Sequence, residues 1–323
     1  MKNEKEKATE TIIFDNEPRL FDHEADKNEE ILKLIPHIKS YVASHERFRG
    51  KEIHIAFVRK GISSLVCILN TAEEKVVLKI SLGIGYTEGE TQFLEVWEKV
   101  GVRVPRVLER GKIGDHSYIL MEFIVEPILS NKYTYEELVE NGIYLEMGRT
   151  LKRMHIPKAD GYGRVIKGKA GFSNFEAWLT REDMKKRIKY VKEHKLLNGK
   201  HGSLATAFEI LKAHIGVHEQ SSYCHGDFAA YNIFATNPLT VFDPSPRFNN
   251  EYIDLAQSLV MNIAHGQFPE EFIQGYFNGE PYDDRVLHAA ILLTVYSKFR
   301  YWHQVEKFDR IQNAQTYLLN NKS

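Results

Sequence analysis

Between Ile53 and Ile80 apolar residues gather in three short runs, the first with a period of two. Ile53, Ile55 and Phe57 alternate with His54, Ala56 and Val58. Leu65-Val66-Cys67-Ile68-Leu69 follows a Gly-Ser loop, and Val76-Val77-Leu78-Lys79-Ile80 follows a polar turn through Glu73-Glu74. One alternating run and two short apolar runs, joined by short polar connections, predict three antiparallel strands in succession. The period then lengthens: Tyr86, Glu90, Phe93, Leu94 and Trp97 share one stripe of a helix ending near Val100. An upstream helix is predicted over Glu29–His45 from Ile31, Leu34, Ile38, Tyr41 and Val42, with Pro36 inside it. Gly114-Asp115 marks a turn into a further strand, Tyr118–Ile124. After that strand helical spacing dominates. Thr134 with Glu137 has capping-box spacing, Met147, Leu151 and Met154 recur, and Val286–Trp302 is a long apolar helix. Strands first and helices afterwards predict an α+β chain in three parts. These are a polar N-terminal segment with one helix (1–50), a sheet lobe (51–124) and a helical lobe (125–323).

Composition narrows the partners. The 323 residues are 43% hydrophobic and 27% charged with a net charge of −1, which gives no electrostatic case for nucleic acid or an anionic membrane. Lys185–Lys192 is strongly basic, and its expected role is a solvated helix face. Cys67 and Cys224, both in apolar strand-like segments, do not make a disulfide framework and fit a reducing compartment. Met1–Lys7 lacks the apolar core of a signal peptide and no apolar run is long enough to span a bilayer, so a cytosolic protein is expected. Nothing in the pattern encodes an oligomeric state.

Two groups of residues carry candidate chemistry. Lys79 is a lone cation inside a strand of aliphatics, and Glu90 projects from the apolar face of the following helix, opposite Glu88 and Glu95. An inward carboxylate wants a cation, so Lys79 and Glu90 are expected to pair. The second group is Cys224-His225-Gly226-Asp227-Phe228-Ala229-Ala230-Tyr231-Asn232, followed by Val241-Phe242-Asp243-Pro244. Asn232–Thr236 and Leu239–Asp243 read as two strands around Asn237-Pro238, a register that sets Asn232 opposite Asp243. Proline is awkward in a two-residue turn, and the register can slip by one residue. An aspartate and an asparagine amide oxygen at that spacing suit Mg²⁺, a hard ion that completes its shell with phosphates and water. The loop between the first two strands, with Gly61, Ser63 and Ser64, can offer backbone N–H groups to phosphate oxygens.

His-Gly-Asp, four residues, Asn, and then an aspartate at a strand end resembles the aminoglycoside phosphotransferase family. These are small-molecule kinases on a two-lobed protein-kinase-like fold, related to choline, fructosamine and homoserine kinases. The resemblance implies ATP and Mg²⁺ as cofactors. It makes Asp227 the catalytic base, has His225 brace the loop, gives Asn232 and Asp243 the metal, and makes Lys79 with Glu90 the pair that positions the phosphates. It places adenine against main-chain groups near Glu122 and Ile124, and phosphates against Gly61, Ser63 and Ser64. It also gives Asp254 a bracing role beside the catalytic loop, although an acidic residue at a helix start is explained by the dipole alone. Phe242-Asp243-Pro244 stands where protein kinases carry Asp-Phe-Gly, which argues against a protein substrate.

The acceptor is then a small-molecule hydroxyl. An aminoglycoside-type polycation would need an acidic pocket, and residues 224–323 carry 11 acidic against 7 basic residues, with Glu251, Glu270, Glu271, Asp283 and Asp284 available. A choline-, sugar- or amino-acid-type acceptor is the alternative, and aromatic residues near Tyr296–Trp302 would suit choline. A non-catalytic pseudokinase is the reading from another class. Its mark is loss of the base, the lysine or a metal ligand, and all four positions are filled.

Overall fold

The computed structural model describes residues 11–18, 20, 25–58, 63–83, 86–197, 202–215 and 220–321. The chain divides into two compact units, Met1–Leu94 with Pro105–Val125 and Glu95–Val104 with Glu126–Ser323. In the first, β1 (Ile12–Phe14), β2 (Ile53–Phe57), β3 (Ser64–Asn70), β4 (Lys75–Ser81), β5 (Val107–Ile113) and β6 (His116–Glu122) form one sheet in the order β1-β2-β3-β4-β6-β5. All pairings are antiparallel except the parallel edge contact of β1 with β2. The three short apolar runs are β2, β3 and β4.

Helix α1 (Ala25–Ser44) lays Ile31, Leu34, Ile38 and Val42 into a core with Ile55, Cys67, Leu69, Leu78 and Ile80. The segment expected ahead of the sheet lobe, 1–50, therefore supplies β1 and α1 to its sheet and core. Pro36 is tolerated inside α1 because it faces solvent. Leu32, whose carbonyl loses its helical partner, is 53% exposed, so water can replace the bond. Along β4, Val76, Leu78 and Ile80 face this core, and by the alternation of a strand Lys79 faces the other side. Helix α2 (Tyr86–Lys99) follows β4, and its residues divide between the two units.

The second unit contains α3 (Leu129–Lys132), α4 (Tyr135–Glu140), α5 (Ile143–Met154), β7 (Lys158–Ala159), β8 (Tyr162–Ile166), β9 (Lys169–Phe172), α6 (Phe175–Leu179), α7 (Glu182–Glu193), α8 (Gly202–Ile215), β10 (Ser221–Cys224), β11 (Ile233–Phe234), β12 (Thr240–Val241), β13 (Arg247–Asn249), α9 (Glu251–Ile263), α10 (Glu270–Phe277), α11 (Asp284–Gln304) and α12 (Phe308–Asn320). The capping box read at Thr134 and Glu137 opens α4. A small sheet in the order β7-β10-β13-β8-β9 and the separate hairpin β11-β12 sit among these helices. Helix α11 is buried along most of its length, through Leu287, Ile291, Val295, Phe299 and Trp302, and it packs against α8, α9, α7 and α12. Among the described residues no helix is long and apolar enough to cross a membrane.

Candidate active site

Lys79 sits mid-strand in β4, opposite Val66 of β3 on one side and Ile119 of β6 on the other. Its side chain leaves the aliphatic core and meets Glu90 on α2. Nζ lies 2.8 Å from Oε1 and 2.7 Å from Oε2, with the residues only 7% and 3% exposed. Buried charges at this separation hold each other in register, because either alone would carry an uncompensated desolvation cost. Glu88 and Glu95 are exposed, as the helical stripe requires. Ser64 opens β3, and the exposed Ser63 accepts a backbone hydrogen bond from Leu82. Gly61, expected in the same loop, lies outside the described residues. Glu122 closes β6 and donates its backbone N–H to the Arg106 carbonyl; Ile124, two residues on, is buried.

In the second unit, β10 delivers the chain into the loop that carries Asp227. His225 is fully buried, stacked on Trp97 at 5.7 Å between centroids and 3° between planes. Its Nδ1 accepts the Asp227 backbone N–H at 3.2 Å, so Nε2 carries the proton and donates to the Phe242 carbonyl at 3.0 Å. One neutral ring thus ties the loop to the segment before Asp243, and burial holds the imidazole pKa below its ordinary value. Gly226 has φ of +73°, and a Cβ there would come within 2.4 Å of the Ser245 carbonyl oxygen and within 2.3 Å of Arg247 Nε. This position therefore demands glycine.

Asp254, in the first turn of α9, fixes the same loop from below. Its Oδ2 accepts the His225 N–H at 2.8 Å and its Oδ1 the Gly226 N–H at 2.7 Å. Oδ2 also lies 3.1 Å from His155 Nε2, while His155 Nδ1 meets the Tyr276 hydroxyl at 2.7 Å. Burial pushes the Asp254 carboxyl up, but the His155 hydrogen bond and charge, with the Gly226 N–H, outweigh it and hold it low. The bracing role implied for Asp254 is thus a pair of backbone hydrogen bonds, which the helix-dipole explanation does not contain. His155, Cys224 and Asp254 present ligand atoms within 4.8 Å of one another. Both imidazole nitrogens are spent on hydrogen bonds, and burial raises the thiol pKa, so the cluster is a structural brace.

Asp227 itself is only partly buried. Tyr231 donates its hydroxyl to Oδ1 at 2.8 Å, and Asn232 donates Nδ2 to Oδ2 at 3.2 Å and to the Asp227 carbonyl at 2.9 Å. Tyr231 is the residue that the sequence reading missed. Its spacing of four from Asp227 was the available signal, indistinguishable there from a surface aromatic. With its amide nitrogen spent on Asp227, Asn232 keeps Oδ1 as a ligand atom.

The hairpin register differs from expectation. Ile233 pairs with Val241 and Phe234 with Thr240, so Asn232 stands opposite Phe242 and Asp243 lies one residue beyond. The strands are shorter because residues 235–239 form the turn. Proline's φ, fixed near −65°, does not suit the type I′ geometry of a two-residue turn, and in the longer turn the Thr236 hydroxyl bonds to the Pro238 carbonyl at 2.6 Å and Thr240 Oγ1 at 2.7 Å. Asp243 is exposed and adopts φ of +52°, a left-handed conformation that costs a non-glycine residue about 1 kcal/mol or more.

The fructosamine kinase family model matches residues 38–317. The chain belongs to the fructosamine kinase family. It is a small-molecule kinase, a phosphotransferase with a hydroxyl acceptor. No curated protein matches it. Among solved structures, the aminoglycoside phosphotransferase APH(4)-Ia is similar with a TM-score of 0.63 at 14% identity, over 87% of this kinase and 96% of that chain. A fructosamine-3-kinase candidate from Thermobifida fusca is similar with a TM-score of 0.55 at 16% identity, over 82% and 94%. The spectinomycin phosphotransferase APH(9)-Ia gives 0.53 at 14% identity, over 88% and 91%. These likenesses establish the protein-kinase-like fold for the kinase.

Proposed function

We propose that this kinase transfers the γ-phosphoryl group of ATP to a hydroxyl of a polyhydroxylated small molecule, with Asp227 as the base. The observation that carries the reading is the constraint on Asp227. Its carboxylate is reachable from solvent, oriented by Tyr231 and Asn232, and mounted on a loop pinned by His225 and Asp254. Two similar enzymes support the nucleotide. APH(4)-Ia was crystallised with AMP-PNP and hygromycin B, and APH(9)-Ia with ADP and spectinomycin.

In this reading Lys79, held by Glu90, orients the phosphates. Asn232 Oδ1 and the Asp243 carboxylate are hard oxygen donors that fit Mg²⁺, and when bound the ion offsets charge on the transferring phosphates. The acceptor oxygen forms a bond to the γ-phosphorus as the β–γ bridging P–O bond breaks, ADP leaves with that electron pair, and the hydroxyl proton passes to Asp227. Two of the carboxylate's lone pairs are engaged by Tyr231 and Asn232, and others remain to receive it. Positioning matters more here than base strength, because the transition state is loose.

The test is Mg²⁺-dependent ADP production over aminoglycosides, sugars, sugar amines and amino acids, with Asp227→Ala beside the wild type. Turnover should fall by about 10²–10⁴-fold in the variant, the usual span for loss of a general base. Near-wild-type turnover in Asp227→Ala would refute the assignment.

A further inference from the structure

Helix α10 has two faces with different work. Phe272, Gly275 and Tyr276 form one of them. Phe272 stacks on Phe228, the neighbour of Asp227, at 6.1 Å between ring centroids, Gly275 lies against the Leu145 carbonyl of α5, and the Tyr276 hydroxyl meets His155. Ile273, Gln274 and Phe277 fall on the opposite face, where they line a cavity of about 490 Å³ together with residues of α11 and α12. Helix α10 therefore stands between this cavity and the loop that carries Asp227.

The walls of the cavity are aromatic. Phe277 stacks on Tyr282 at 4.2 Å, Phe268 tilts against Tyr317 at 5.0 Å, and Leu287 and Ile291 add buried aliphatic surface. Tyr282 is 41% exposed and Phe268 and Tyr317 are half-buried, so ring surface is open to an occupant. Around these rings Glu270, Glu280 and Asp284 are exposed, and no lysine or arginine lines the cavity among the described residues. Lys152 reaches Glu280 at 3.9 Å, whereas Glu270 has no ion pair among the described residues. His288 lines the same cavity. Its Nδ1 donates to the Asp284 carbonyl at 3.1 Å, so Nε2 is left as an acceptor, buried and without a partner among the described residues. Buried acceptors are rarely left unpaired, and this one calls for an N–H from outside the chain.

We propose that the cavity is a second ligand site, for a protonated organic amine with an apolar body. Aromatic faces and carboxylates both attract an ammonium group, and its N–H supplies the donor that His288 lacks. An anion would meet three carboxylates, and a neutral apolar molecule would use the rings alone. A volume of about 490 Å³ holds one small molecule. Glu270 and Asp284, available by charge to a polycationic acceptor, serve this site instead, across α10 from Asp227.

Calorimetric titration of the full-length kinase tests it with phenethylamine, its N,N,N-trimethyl form and 2-phenylethanol, which share one apolar body. The amine should bind saturably and roughly tenfold more tightly than the alcohol, the combined effect of an exposed cation–π contact and two surface charge pairs. The trimethyl form should bind about threefold more weakly than the amine, because it has no N–H for His288. Glu270→Gln combined with Asp284→Asn should cut the amine's advantage to about threefold or less. Alcohol affinity should stay unchanged there, which shows that the cavity is intact. Asp227→Ala should leave the advantage whole. No saturable binding, equal affinity for amine and alcohol, or a trimethyl form as tight as the amine would overturn the proposal. So would an advantage that survives the double substitution, or one lost in Asp227→Ala, which would put the amine at the acceptor site. None of these outcomes touches the kinase reading.

Discussion

Replacing Asp254 by asparagine tests how the loop that carries Asp227 is held. The substitution preserves shape and removes the charge. One amide oxygen can still accept one of the two N–H groups at 2.7 and 2.8 Å, but the amide NH₂ then confronts the other, donor against donor. Asp254, His225 and Gly226 are all buried, so water cannot supply the lost acceptor. A buried donor left without a partner costs about 1–3 kcal/mol, and a hydrogen bond to a charged group is worth about 1.5–3 kcal/mol. A net loss of about 2–3 kcal/mol follows. At about 2–4 °C per kcal/mol for a unit of this size, the melting temperature should drop by about 4–12 °C in a calorimetric scan. Turnover should fall further than stability alone dictates, by about 10²-fold, because Asp227 follows Gly226 directly and a displacement near 1 Å has that effect. Asp254→Asn melting within 1 °C of the wild type with full turnover would refute the idea that this carboxylate positions the loop.

Lys79→Met should cost about 3–5 kcal/mol, since it strands the Glu90 carboxylate at 3% exposure. Lys79→Met with Glu90→Gln should regain most of that in urea melts while leaving turnover depressed, which separates the packing of the pair from its work. Stability should also decline on mild acidification. The His225 imidazole has a folded pKa below the unfolded value of about 6.5, so the unfolded chain takes up a proton first as pH falls below about 6.5. Urea midpoints at pH 7.5, 6.5 and 5.5 should therefore decrease in that order, and a flat series would contradict the buried neutral ring. Asp254 adds a second, more acidic loss, because its depressed carboxyl stabilises the fold above about pH 3.9 and ceases to do so as pH falls through its lower folded value. Gly226→Ala should lower turnover sharply and destabilise by about 2–5 kcal/mol, combining a left-handed alanine with contact against the Ser245 carbonyl; unchanged melting would show that the loop can move aside.

The readable parts of the chain were those in which one physical rule acted locally. Alternation in β2 and short apolar runs bounded by turns gave β2, β3 and β4, and the helical stripe placed Glu90 inward before any contact was known. The group from His225 to Asn232 was legible because polar residues at fixed spacing in an apolar context have few bland explanations. What stayed hidden depends on distant pairing. The reach of Asp254 back to residues 225 and 226, and the stacking of Trp97 on His225, join segments far apart in sequence. The hairpin register turned on a proline whose fixed φ does not suit a two-residue turn, a matter of local geometry rather than pattern. Charge counting left the acceptor open for a related reason: the excess of acidic residues after Cys224 says nothing about which side chains face Asp227.

The double grip of Asp254 also sets where this gene can change length. Between Asn249, the last residue of β13, and Asp254 the chain has no slack, because one inserted residue in the first turn of α9 would swing the carboxylate by about 100° away from the loop. The hairpin tip at 235–239 is a different case, since both of its strands are anchored independently of the turn. Insertions tolerated in descendants of this kinase should therefore collect at that tip and stop short of the four residues that separate Asn249 from Asp254.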